Sequence, residues 1–236
     1  RGIHVSYTPD APAPGVAELA IGFALALLRG VHVANLAMHS QRWERTMGRR
    51  LSEVTIGVIG AGRIGSRVIR RIVPFGSPRI LVNDLAVVDG ITDQLRLEWV
   101  DKTTLLKNAD LVTLHVPLSP STLNLISMTE LKLMKDDALL INTSRGGVVN
   151  EIDLYQALLS GEIAGAAVDV FTDEPYSGPL TELANCLLTS HMGSMSFDCR
   201  ERMEIEATEE ALRYLSGEPL LRAVPLAEYE MQSNGR

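Results

Sequence analysis

A doubly wound parallel α/β sheet is the fold class this sequence predicts, and three observations predict it. Short, fully apolar runs rich in β-branched residues recur through the chain from residue 54 onward. A helix-like stretch separates most of them. The first run leads into a glycine-rich turn that opens a helix. Continuous apolar strands separated by helices imply a parallel sheet covered on both faces. Right-handed crossovers then make it doubly wound.

The elements follow in order. Gly2 to Tyr7 reads as the end of a strand. Thr8 to Gly15 holds Pro9, Pro12 and Pro14 and is a turn or linker. A helical pattern runs from Val16 to about Met38. It is apolar on most faces, as a helix at a domain or subunit interface would be. Ser40 to Ser52 is a polar connection whose Arg42, Arg45, Arg49 and Arg50 read as solvated surface or as a phosphate-binding patch. Val54 to Ile59 is the first strand, Arg63 to Val73 a helix and Arg79 to Asn83 the second strand. Leu111 to His115, Ala138 to Asn142, Ala164 to Val170 and Cys186 to Thr189 are the later strands. Thr103 to Asn108, Thr129 to Met134 and Glu151 to Leu159 are the helices leading to three of them. After Ser196 an amphipathic charged helix runs to about Leu215, stopped by Gly217 and Pro219. The tail from Ala223 to Arg236 has no periodicity and is expected to be loose at its end.

Composition narrows the function. The chain has 236 residues, 46% of them hydrophobic and 22% charged, ordinary values for a globular protein of one to two domains. A net charge of −7 without a Lys/Arg block argues against nucleic-acid or anionic-membrane binding. The two cysteines, Cys186 and Cys199, form no disulfide framework and no Cys-rich zinc site; a reduced, cytoplasmic setting fits, and no metal is expected. The longest apolar run, Leu19 to Leu28, is too short to span a bilayer. Residue 1 is Arg, so the chain is expected to start inside a longer protein.

Gly60-Ala61-Gly62-Arg63-Ile64-Gly65 is a GxGxxG between a strand and a helix, the context in which this motif binds a dinucleotide. Gly60 permits the tight turn, Gly62 lets backbone approach a pyrophosphate and Gly65 lets helix and strand pack closely. The helix N-terminus offers free N–H groups and a positive dipole end. Asp84 lies 19 residues beyond Gly65 at the end of the next strand, where a carboxylate can accept from ribose hydroxyls. Sheets of this kind bind ligands outside the carboxyl ends of their strands. Beyond the later strands stand His115-Val116-Pro117, Thr143-Ser144-Arg145, Asp169 with Glu174, and Ser190-His191-Met192-Gly193. An acid near a His suits general acid–base chemistry, and an Arg offers a planar fork for a carboxylate. Each of these also has a plain reading as a surface or loop residue. His115 is expected near the cofactor pocket; His4, His32 and His39 read as structural or surface.

The combination of Val16-Ala17-Glu18, Trp43, the Gly60 to Gly65 loop, Asp84, His115 to Leu118, Asn142 to Gly147, Asp169-Val170-Phe171, Glu174-Pro175 and Ser190 to Gly193 resembles the D-isomer-specific 2-hydroxyacid dehydrogenase family, which includes phosphoglycerate dehydrogenases and hydroxypyruvate reductases. The resemblance implies a Rossmann-type NAD-binding domain and an NAD-dependent oxidoreductase interconverting a 2-hydroxy acid and a 2-oxo acid. It implies that Arg145 binds substrate, that His191 is the acid–base and that Glu174 orients it. It implies dinucleotide contacts from Gly60, Gly62, Arg63, Ile64, Gly65, Asp84, Val116, Pro117, Thr143, Ser144, Arg145, Asp169, His191 and Gly193. It also implies a homodimer joined through the cofactor domain.

On this reading residues 1–15 end the substrate domain and its linker, residues 16–195 form the NAD-binding domain with its interface helix, and residues 196–236 are a C-terminal helix and tail returning toward the substrate domain. These residues are expected to lack most of the family's N-terminal substrate domain, so that residues 1–236, if they are the whole protein, should bind dinucleotide but turn over poorly. The chain departs from the family in Ser52-Glu53-Val54-Thr55, where Gly-Lys-Thr is usual, in Ser190, where Pro is usual, and in Tyr7, where Asn is common. An NAD-sensing binding module similar to dimeric co-repressors of the same fold is the alternative. Glu174 argues against the formate dehydrogenase branch, which carries Gln there.

Overall fold

The computed structural model describes residues 3–87 and 97–225. Its strands are β1 (Thr55–Ile59), β2 (Arg79–Asn83), β3 (Leu97–Trp99), β4 (Leu111–Leu114), β5 (Leu139–Asn142), β6 (Gly165–Val168) and β7 (Cys186–Leu188). Its helices are α1 (Ala13–Leu28), α2 (Val31–His39), α3 (Arg63–Ile72), α4 (Lys102–Asn108), α5 (Met128–Leu131), α6 (Glu151–Ser160) and α7 (Phe197–Leu215). The strands form one parallel sheet in the order β3-β2-β1-β4-β5-β6-β7.

Both faces of that sheet are buried, which is why its strands read as unbroken apolar runs. Ile56, Val58, Ile80, Ile141 and Ala167 point to one side, under α1 and α3. Leu81, Val112, Leu114, Leu140 and Ala166 point to the other, under α4, α5 and α6. Each such Val, Ile or Leu contributes about 1.5–3 kcal/mol when removed from water. Side-chain caps start two of the covering helices: Asp101 accepts from the Thr104 amide at 2.9 Å, and Asn150 from the Asp153 amide at 3.1 Å. Ser127 and Glu130 form a capping box on α5.

The chain runs outward from β1 to β3, then returns to β4 on the other side of β1. Sheets of this kind bind ligands at such a reversal, beyond the carboxyl ends of the strands.

Three features differ from the sequence expectation. The helical pattern from Val16 to Met38 is two helices, with axes bent by 64°. Gly30 breaks it with φ +59, a left-handed conformation that ends helices cheaply only at glycine. Apolar residues continue on either side, so periodicity hides the break. The first helix also begins at Ala13, because Pro14 is tolerated in a first turn that needs no amide there. Edge strand β3 carries no apolar run; its central Glu98 receives the Arg79 guanidinium at 2.7 and 2.8 Å. At the N-terminus, Ser6 bridges Ala223 antiparallel, with the Val224 amide donating to the Val5 carbonyl at 2.9 Å. The loose tail expected beyond lies, from residue 226, outside the described residues.

Candidate active site

The strand ends carry two sets of groups. The first is the glycine loop between β1 and α3. Gly60 has φ +92. A Cβ on Gly65 would lie 1.9 Å from the Gly60 carbonyl oxygen, so only glycine fits there. Among the described residues a Cβ on Gly62 would meet nothing within 4 Å, and no side chain caps α3 at that position. Open space over uncapped amides at a helix N-terminus fits a pyrophosphate. At the end of β2, the Asp84 carboxylate accepts from the Ala61 amide and from the Leu85 amide, each at 2.6 Å. The acid is therefore fixed beside the loop while remaining exposed. Arg63 pairs with Asp10 at 3.3 Å across the same loop. These residues fit a dinucleotide.

His115 and Val116 leave β4 behind the loop, and Pro117 is exposed beyond them. Burial pushes the His115 pKa down to about 3, so its ring is neutral. Its Nε2 lies 3.0 Å from the Thr113 hydroxyl. Its Nδ1 and the Thr143 hydroxyl are buried without partners among the described residues. Ser144 is buried too, and its hydroxyl donates to Asn142 Oδ1 at 2.7 Å. Asn142 Nδ2 donates to the Arg145 carbonyl at 3.1 Å, closing the turn. That turn leaves Arg145 exposed, with one Nη donating to the Ser144 carbonyl at 2.6 Å. Among the described residues Arg145 forms no ion pair.

The second set lies at the ends of β6 and β7. His191 Nδ1 is 2.8 Å from Glu174 Oε2 and 3.1 Å from Oε1. The Phe171 amide donates to Glu174 Oε1 at 3.0 Å. The hydrogen bond from the His191 ring, then that amide, hold the Glu174 carboxyl below the usual carboxylate range; burial opposes them weakly, and the His191 and Arg145 charges assist. An ionised carboxylate only accepts, so Nδ1 carries the proton between the two residues. Nε2 is then left to exchange a proton with a ligand, and it has no protein partner among the described residues. The dyad borders a cavity of about 800 Å³, walled by Phe171, Tyr176, Leu188 and Met192, within the range of small-molecule sites. Asp169 is buried, with its carboxylate turned to the loop that follows β7.

The structure thus gathers the glycine loop, Asp84, Thr143 to Arg145, Glu174 and His191 along one edge of the sheet. Sequence reasoning singled out neither Tyr176 nor Thr189. Tyr176 carries no motif, whereas Thr189 gave a faint signal as a hydroxyl residue ending a strand beside the histidine loop.

An open, uncapped phosphate loop and an acid–histidine dyad at the carboxyl ends of one parallel sheet fit a dinucleotide-dependent oxidoreductase site. Residues 21–193 match the family described as D-isomer specific 2-hydroxyacid dehydrogenase, NAD binding domain. The chain is 38% identical over 221 residues to a hydroxypyruvate reductase of Thermotoga maritima, covering 91% of this chain and 71% of that one. It is 37% identical over 228 residues to a glyoxylate reductase of Thermococcus litoralis, covering 92% of this chain and 69% of that one. Among solved structures, D-lactate dehydrogenase with NAD+ from Lactobacillus jensenii superposes with a TM-score of 0.85 at 27% identity, over 94% of this chain and 72% of that one. The chain belongs to the D-isomer-specific 2-hydroxyacid dehydrogenase family. It is the NAD-binding part of such an enzyme, and NAD is its cofactor.

Proposed function

We propose that this protein interconverts a small 2-hydroxy acid and its 2-oxo acid, with His191 as acid–base, Glu174 as its partner and Arg145 as the carboxylate anchor. The observation that carries the assignment is the His191 Nδ1 contact to Glu174 at 2.8 Å, which leaves Nε2 of this cavity-lining residue without a protein partner among the described residues. Bound NADH supplies the hydride. Arg145 holds the substrate carboxylate through its planar fork and polarises the neighbouring carbonyl. In the reducing direction protonated His191 would donate from Nε2 to the carbonyl oxygen; in the oxidising direction neutral His191 would remove the hydroxyl proton. Gly60, Gly62, Arg63, Ile64 and Gly65 hold the pyrophosphate, Asp84 the adenosine ribose, and Val116, Pro117, Thr143, Ser144 and Gly193 the remaining length of the dinucleotide.

The assembly that fits is a homodimer. Val31, Leu36 and Met38 on α2, with Trp43 and Met47 beyond it, are large apolar side chains left exposed, and exposed apolar groups of this extent mark association sites.

The test is a panel of 2-oxo acids offered with NADH to the full-length protein, followed by the loss of NADH absorbance. Turnover of a small 2-oxo acid is expected. NADH binding without turnover of any of them would instead favour the binding-module alternative.

A further inference from the structure

We propose that Asp10 competes with the dinucleotide pyrophosphate for the Arg63 guanidinium, so that cofactor binding releases the segment entering α1 from the glycine loop. The inference rests on reading Arg63 as a pyrophosphate contact. Helices α1 and α3 pack side by side, and two exposed ion pairs of the same make join them. Arg63 Nε meets Asp10 Oδ1 at 3.3 Å, and Arg71 Nη2 meets Glu18 Oε1 at 3.5 Å. In each, α3 supplies the arginine, and the acid comes from α1 or the segment entering it. The second pair lies eight residues further along both segments. Only the first pair stands at the phosphate loop. Arg63 is the first residue of α3, next to Gly62, where no side chain caps the helix.

The Asp10 carbonyl accepts the Ala13 amide at 3.3 Å, at the start of α1. A tie on the Asp10 side chain is therefore a tie on the linker and on the first turn of that helix. The tie is weak, because both its side chains are about half exposed and such pairs add little. A pyrophosphate brings two negative charges, and the amides and dipole end of α3 attract it to the same place. One guanidinium cannot neutralise a carboxylate and a pyrophosphate together, and two anions within its reach repel each other. The pyrophosphate therefore displaces Asp10, and the displacement consumes part of the binding energy. Arg71 and Glu18 carry no such cost. Eight helical residues place them about 12 Å further on, beyond the Debye length of about 8 Å at physiological salt.

The test is a double-mutant cycle on NADH affinity, read by fluorescence titration of the full-length protein. Asp10→Asn should tighten NADH binding by about two- to fivefold, the range set by the worth of exposed ion pairs. Arg63→Ala should weaken binding, and Asp10→Asn added to Arg63→Ala should then change little. Glu18→Gln, which cuts the matched pair, should bind NADH as the wild type does. Hydrogen exchange reads the linker: NADH should speed exchange of the Ala13 amide in the wild type more than in Asp10→Asn, where the tie is already cut. If Arg63→Ala binds NADH like the wild type, the reading of Arg63 fails and the competition fails with it. If Arg63→Ala binds weakly while Asp10→Asn is neutral or weaker than the wild type, Arg63 keeps its role and the competition alone is overturned. An equal gain from Asp10→Asn with and without Arg63 would also overturn it, because that gain is general repulsion between acid and cofactor. An Ala13 amide that responds to NADH alike in both proteins would overturn the release of the segment.

Discussion

At neutral pH the Glu174 carboxylate is ionised and can only accept, so the proton it shares with His191 sits on Nδ1. Its folded pKa lies below the ordinary 4.5. The contact is therefore fully present above that value and lost as pH falls through the lower folded one. A long-range 1H–15N spectrum of the imidazole should show Nδ1 protonated and hydrogen-bonded from neutrality down to below pH 4.5; loss of that signal well above 4.5 would contradict the assignment. Arg145 is read as a fork and not merely a charge, so Arg145→Lys should raise KM and lower kcat together, with NADH affinity retained. Unchanged kinetics would return Arg145 to the solvated surface. Arg145, Glu174 and His191 were legible as candidates because each stands just past an apolar strand. The network around Asp169 was not, because it joins Asn142, Thr189, Met192 and Gly193 through folded geometry that leaves no periodic trace.

The loop between β1 and α3 separates two roles of glycine. Gly65 lacks room for a side chain, whereas Gly62 faces open space. Gly65→Ala should therefore lower the melting temperature, at an overpacking cost of about 1–3 kcal/mol, and weaken NADH binding as well. Gly62→Ala, at φ −68, should leave the melting temperature unchanged yet weaken NADH binding. Thermal melts with NADH titration read both; an equal loss of stability in the two variants would refute the pyrophosphate assignment. The central strands were legible because burial on both faces made them uniformly apolar, and β2 falls on the expected residues. Strand β3 was not, since three edge residues around Glu98 have no such signature. Nor was the bend between α1 and α2, which a single glycine makes inside an apolar stretch.

At the scale of the molecule, one sheet edge gathers the residues proposed to hold the cofactor, anchor the substrate and donate the proton, and α2 leaves Val31, Leu36 and Met38 exposed. Leu36 is 51% exposed. Leu36→Glu should shift the full-length protein toward monomer in sedimentation without weakening NADH binding, because the substitution places charge on a surface that a symmetric partner would bury. An unchanged mass would move the interface elsewhere.

The central claim is that His191 exchanges the proton of a 2-hydroxy/2-oxo acid reaction on an NAD-binding domain. It is tested most directly by His191→Asn in the full-length protein, measuring the rate of NADH oxidation by its best 2-oxo acid beside NADH affinity. The account predicts a rate lower by about 10²–10⁴-fold, the range of a general acid–base, with NADH bound as in the wild type. A variant that turns over at the wild-type rate would contradict it.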